Sequence, residues 1–177
     1  MASLACEFGI TKAAVQTIED GIKIESYFKE ILILADVSTH TYSHTFHITI
    51  NTLSDITKLP ENTNVHLKVD TGMNRLGIKP NKVDDTLAKL TSEQLQSLVL
   101  CTHFSSSEEL DNPKTLLQIQ QFEHINQKAC SKKSLANSAG ILNWPESHGD
   151  YNRLGIALYG ATPISANTAP AKLSPVK

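Results

Sequence analysis

Apolar and polar positions along the chain fall into short apolar runs separated by polar segments with helical spacing. Residues 4–10 (LACEFGI) read as a short strand. Thr11 then caps a predicted helix whose Ala14, Val15 and Ile18 share one face and which Gly21 ends. Residues 30–35 (EILILA) and 46–50 (FHITI) are runs expected of strands buried on both faces. Thr52 and Asp55 stand at capping-box spacing and open a short helix that Pro60 ends. Residues 65–69 (VHLKV) predict the next strand, 81–90 the next helix and 97–104 (SLVLCTHF) a further strand. Asn112 as N-cap and Pro113 at the first helical position start the most regular helix, with Leu116, Ile119, Phe122, Ile125 and Ala129 on one stripe. Residues 134–137 and 155–160 (GIALYG) bring the strand candidates to seven.

Strands alternating with helices predict right-handed βαβ units and a parallel sheet. A doubly wound sheet usually carries a glycine-rich phosphate loop after its first strand, and none occurs here. A (β/α)8 barrel is favoured, although it needs eight strands. The fold expected is therefore α/β, an incomplete TIM-type barrel over residues 1–160. Residues 161–177, rich in Pro, Ser, Thr and Ala, read as a linker toward an absent domain.

Composition narrows the classes further. With 40% apolar and 19% charged residues and a net charge of −2, nothing draws the chain toward nucleic acid or an anionic membrane. The apolar runs are too short to span a bilayer, and the start lacks a secretory signal. Three scattered cysteines, Cys6, Cys101 and Cys130, argue against a disulfide framework and for a reducing cytoplasm. Cys101 reads as core packing. His40, His44 and His47 crowd into a Thr-rich loop and are not assigned to a metal.

Chemistry in a parallel barrel gathers at the C-terminal strand ends. Four such ends are polar: Lys68 with residues 70–75 (DTGMNR), residues 102–107 (THFSSS), residues 137–140 (NSAG), and Arg153 before Gly155 and Ile156. Two arginines, a lysine, a histidine, a serine hydroxyl and glycine N–H groups suit a ligand carrying phosphate and carboxylate. Taken alone, Asn137-Ser138 is a plain helix cap and His103 a hydrogen-bonded core histidine.

The strings LKVDTGMNRLGI (67–78), THFSSSEE (102–109), ANSAGIL (136–142) and YNRLGIALYG (151–160) resemble, in order and spacing, four signatures of bacterial alanine racemases. The resemblance implies a pyridoxal-phosphate-dependent isomerase that interconverts L- and D-alanine for peptidoglycan. It also implies a barrel followed by a β-rich domain, in a cytoplasmic homodimer. Arg75 and Lys68 match residues on the substrate carboxylate side, the lysine being carbamylated in some members. Arg153 matches the arginine at the cofactor's ring nitrogen and His103 the histidine that holds it. Asn137, Ser138, Gly155 and Ile156 match groups around the cofactor.

The family's two proton carriers have no counterpart here. Its Schiff-base lysine lies in a K-A-N-A-Y-G-H-G-like string on the first strand, and its tyrosine lies in the β-rich domain. Lys68 belongs to a different motif, and Tyr151 and Tyr159 do not match the tyrosine. The expectation is a fragment without its first βα unit, catalytically inactive and aggregation-prone. Alternatives are a broader-specificity serine racemase and a single-domain pyridoxal-phosphate-binding protein of cofactor homeostasis, which lacks the D-T-G-M-x-R-L-G signature.

Overall fold

Among the described residues six segments become strands, and all six pair in parallel in the order of the sequence. They are β1 (Lys12–Val15), β2 (Glu30–Ile33), β3 (Phe46–Ile50), β4 (Asn64–Lys68), β5 (Val99–Cys101) and β6 (Lys132–Ser134). The computed structural model describes residues 1–38, 43–125 and 132–164. Helix α1 (Ala2–Glu7) precedes the first strand, α2 (Ile18–Ile24), α3 (Leu53–Ile56), α4 (Val83–Leu87), α5 (Ser92–Ser97) and α6 (Lys114–Glu123) lie between strands, and α7 (Ser138–Asn143) follows β6. The sheet curls into an incomplete (β/α) barrel, as the sequence predicts.

Strand alternation decides what faces inward. Ile31, Ile33, Ile48, Ile50, Val65, Leu67 and Leu100 are all fully buried on the helix side. The residues between them turn to the concave side, so Glu30, His47, Thr49, His66, Lys68 and Cys101 line its cavities. FHITI is largely buried on both faces, as expected, with His47 and Thr49 making its concave side polar, and in VHLKV His66 and Lys68 turn to the same side.

Several elements depart from the sequence expectation. Residues 4–10 do not form a strand: α1 is a helix that buries Ala5 beside Phe28, and β1 starts only at Lys12. The helix expected from Thr11 begins instead at Ile18, where the Thr17 side chain accepts from the Asp20 N–H at 3.2 Å. Gly21 is no C-cap. It lies inside α2, where a Cβ would come within 2.9 Å of Ile33. Residues 156–159 form a 3-10 turn, not a strand, so two expected strands are lost and β1 is gained, giving six strands among the described residues where seven were expected.

Elsewhere expectation and structure agree. Thr52 and Asp55 form a reciprocal capping box, and the Asn112 side chain accepts from the Lys114 N–H at 3.1 Å at the start of α6. The stripe of α6 holds at Ile119 and Phe122 but not at Leu116, which is exposed, while Thr115 and Gln118 are buried instead. Ala129, His40, Cys130 and the linker from residue 165 onward lie outside the described residues.

The outer side of β6 is covered by residues 150–153. The Tyr151 N–H donates to the Lys133 carbonyl at 3.2 Å and the Arg153 N–H to the Ala136 carbonyl at 2.9 Å. From there the Tyr151 hydroxyl crosses the concave face to Glu30 of β2 at 3.3 Å, and Lys12 of β1 donates to it at 3.4 Å.

Candidate functional site

A cleft of about 660 Å³ opens at the C-terminal ends of the strands. Lys68, the last residue of β4, and Cys101, the last of β5, sit on its floor. Arg75, His103, Asn137, Ser138, Arg153, Gly155 and Ile156 complete the set expected from the sequence, and all of them line this one cleft.

The loop after β4 is built to present Arg75. Asp70 accepts from the Gly72 and Asn74 N–H groups at 3.2 and 2.8 Å and pairs with Lys79 at 2.7 Å. Burial raises its carboxyl pKa, but these partners outweigh burial and hold it below the usual range. The loop closes where the Ile78 N–H donates to the Lys68 carbonyl at 2.8 Å. Gly77, at φ +122°, allows that closure, since a Cβ there would lie 2.8 Å from the Asp70 nitrogen.

Arg153 is held at the ends of β5 and β6. Its guanidinium donates to the carbonyls of Thr102, Ser134 and Leu135 and to the Ser134 hydroxyl, and lies 3.5 Å from His103 Nδ1. Burial lowers its pKa without removing the charge, because guanidinium is too basic to lose its proton. Burial also pushes the His103 imidazole down to about 4, and the charges of Arg153, Lys68 and Arg75 act in the same direction. His103 is therefore neutral at pH 7, with Nδ1 facing a donor and the proton on Nε2. Burial depresses the Lys68 amine too, with Arg75 and Arg153 adding to the effect. Burial raises the Cys101 thiol, which makes it a packing group rather than a nucleophile.

Asn137 caps α7, accepting from the Gly140 N–H at 2.9 Å and from the Ser107 hydroxyl at 2.8 Å. The Ser138 hydroxyl accepts from the Gly155 N–H at 2.8 Å and more weakly from that of Ala157 at 3.4 Å. Among the described lining residues, three cationic side chains face one carboxylate, Glu108. The cleft is thus suited to a multiply anionic ligand.

Two polar residues that the sequence left unassigned hold the barrel together, Gln118 at the cleft end of the strands and Tyr151 at the opposite end. Gln118 joins the loops after β4 and β5, and its polar side chain on a buried helical stripe was the available signal. Tyr151 ties the segment beside β6 to β1 and β2, a pairing across more than a hundred residues that leaves no local signal.

Residues 1–163 match the model of the alanine racemase N-terminal domain. An alanine racemase of Nitratiruptor sp. is 35% identical over 178 residues, covering 95% of this chain and 52% of that protein. The chain thus spans about half the length of this curated relative. The crystal structure of alanine racemase from E. faecalis superposes with a TM-score of 0.81 at 27% identity, over 99% of this chain and 53% of that one. The fold also matches an alanine racemase from Bartonella henselae with covalently bound pyridoxal phosphate, at TM-score 0.76 and 21% identity, over 99% of this chain and 56% of that one.

Proposed function

Because the chain belongs to the alanine racemase family, whose N-terminal domain it matches over residues 1–163, we propose that its cleft is the pyridoxal-phosphate platform of an enzyme interconverting L- and D-alanine. The observation that carries this reading is Arg153, fixed by backbone carbonyls beside a neutral His103 and facing the cleft. The residues present suit the cofactor. The cleft volume of about 660 Å³ accommodates a ligand of that size, and its cationic lining matches a phosphate and a carboxylate.

The Ser138 hydroxyl with the Gly155 and Ile156 N–H groups would hold the phosphate, with Asn137 fixing the start of α7 behind them. Arg153 would meet the ring nitrogen, and His103 would hold Arg153. When bound, the cofactor supplies the electron sink that lets an amino acid release its α-proton. Arg153 keeps its own proton, so it donates a hydrogen bond there without protonating the ring, which moderates that sink. Arg75 would bind the substrate carboxylate. Burial favours the neutral form of the Lys68 amine, the form that would take up carbon dioxide as a carbamate, whose negative charge would steady Arg75.

No K-A-N-A-Y-G-H-G-like string occurs in the 177 residues, and Tyr151 is engaged at the opposite end of the strands. These residues by themselves are proposed to bind the cofactor without moving the α-proton. In the whole protein, the proposed setting is a cytoplasmic homodimer supplying D-alanine to peptidoglycan.

The test is to titrate a polypeptide of these residues with pyridoxal phosphate, following the fluorescence of the buried Trp144. Saturable binding is expected, weakened about tenfold or more in Arg153→Met, with no deuterium incorporation into alanine in D2O. Exchange catalysed by this polypeptide, or affinity unaffected by Arg153→Met, would sink the reading.

A further inference from the structure

Gln118 lies on the inner face of α6 and is only 2% exposed. Its Oε1 accepts from the Ser105 N–H at 3.0 Å and the Ser105 hydroxyl at 3.3 Å. Its Nε2 donates to the His103 carbonyl at 2.9 Å and to Thr71 Oγ1 at 3.2 Å. A primary amide has two donors and two acceptor lone pairs, so this one is saturated. Its orientation is also fixed, because exchanging nitrogen and oxygen would set donor against donor at Ser105 and acceptor against acceptor at His103.

The chain of bonds continues in a single direction. Thr102 Oγ1 donates to the Val69 carbonyl at 2.8 Å, so its proton is committed. In the 2.7 Å contact between the two threonines, Thr71 must therefore be the donor. That leaves Thr71 Oγ1 as acceptor for Gln118, with no conflict. Gly72 packs directly on the same side chain, where a Cβ would lie 3.4 Å from Gln118 Cγ.

Thr71 opens the loop that ends at Arg75, and Ser105 follows His103 by two residues. We propose that Gln118 is a positioning residue whose amide clamps the loop bearing Arg75 to the loop bearing His103. Gln118 does not itself line the cleft. It acts through both loops, setting the separation at which the two side chains meet a ligand. A shift of the order of an ångström in such a constellation costs about one to two powers of ten in function. The consequence for pyridoxal phosphate rests on the function proposed above; the clamp does not.

The experiment uses Gln118→Met, which keeps the length but removes every hydrogen bond, and Gln118→Glu, which keeps the acceptor for Ser105 but cannot donate to His103 or Thr71 when ionised. Gln121→Met, on the exposed side of α6, is the control. His103 is followed by NMR titration of its ring protons, identified by their loss in His103→Asn. The wild-type midpoint is expected near about 4. It should move upward in both Gln118 variants as the loop releases His103 from Arg153, and stay in place in Gln121→Met. Pyridoxal phosphate affinity should weaken about tenfold in the same two variants. A helix that merely lost stability would lower the melting temperature while leaving the His103 midpoint alone. If Gln118→Met does not fold, Gln118→Glu carries the test. A midpoint unchanged in the folded variants overturns the clamp. If the midpoint moves while the wild-type chain binds no pyridoxal phosphate, the clamp stands and the proposed function fails.

Discussion

His66 is 4% exposed, and its ring meets His47 edge-on with centroids 5.3 Å apart. One proton lies between His47 Nδ1 and His66 Nε2, which are 3.3 Å apart. If His66 donates it, His47 carries its own proton on Nε2, 4.0 Å from the Glu30 carboxylate. His66 Nδ1 is then a bare acceptor, without a partner among the described residues. The reverse tautomers would bury an N–H with no acceptor, which is the more expensive choice. Burial holds the pKa of both rings below the ordinary histidine value. For His66 the neighbouring His47, Arg153, Lys12 and Lys132 charges reinforce burial; for His47 the Glu30 carboxylate only partly opposes it.

His103 belongs to the same class, so three imidazoles are neutral in the folded protein. Below pH about 6.5 the unfolded chain takes up protons there that the folded chain refuses. Stability is therefore complete above that pH and falls as the pH drops toward the folded-state values. His103 alone, lowered to about 4, accounts for a loss on the order of 3 kcal/mol once the pH has fallen below that value. Melting temperature measured from pH 8 to pH 5 should decline, and the decline should be shallower in His103→Asn. A flat profile in the parent protein would show that these rings take up protons in the fold as readily as in the unfolded chain.

At the scale of elements, the closure of the loop after β4 depends on Gly77. Ala at Gly77 would drive a methyl group into the Asp70 nitrogen at 2.8 Å and the Lys68 carbonyl at 3.0 Å, in a backbone conformation that side chains rarely adopt. Gly77→Ala is expected to cost about 2–4 kcal/mol in urea unfolding and to weaken pyridoxal phosphate binding through Arg75. Wild-type stability in this variant would show that the closure tolerates a side chain. The same scale separates the elements that could be read from the sequence from those that could not. The capping box of α3 and the start of α6 are set by residues within three or four positions of each other. The α1–β1 region is not. Ala13 and Ala14 favour a helix by propensity, yet they pair with Ile31 and Leu32 of β2, and this tertiary pairing overrides the local preference. Residues 155–160 look like a strand but turn in a 3-10 helix, anchored by Gly155 and Ala157 N–H groups on Ser138.

For the molecule as a whole, Tyr151 joins the two sides of an incompletely closed sheet. Its ring lies 4.4 Å below the Lys12 ammonium and 5.7 Å from the His66 ring, and its hydroxyl reaches Glu30. Tyr151→Ala should cost about 2 kcal/mol. It should also speed hydrogen exchange in β1, while the central β4, paired on both sides, keeps its protection. Equal protection of β1 in both proteins would mean that the tie across the concave face carries no load. The parallel α/β plan, the central strands and the cationic strand ends were determined by the sequence alone, because alternation and capping act over a few residues and parallel strands put their loops on one face. The four motifs likewise suffice to name the family. Only the tertiary structure decided that the first strand begins at Lys12, that His47 pairs with His66, and that Gln118 and Tyr151 hold parts of the chain together. Those outcomes depend on contacts between residues far apart in the sequence, and burial, which no local pattern encodes, sets the protonation states that follow.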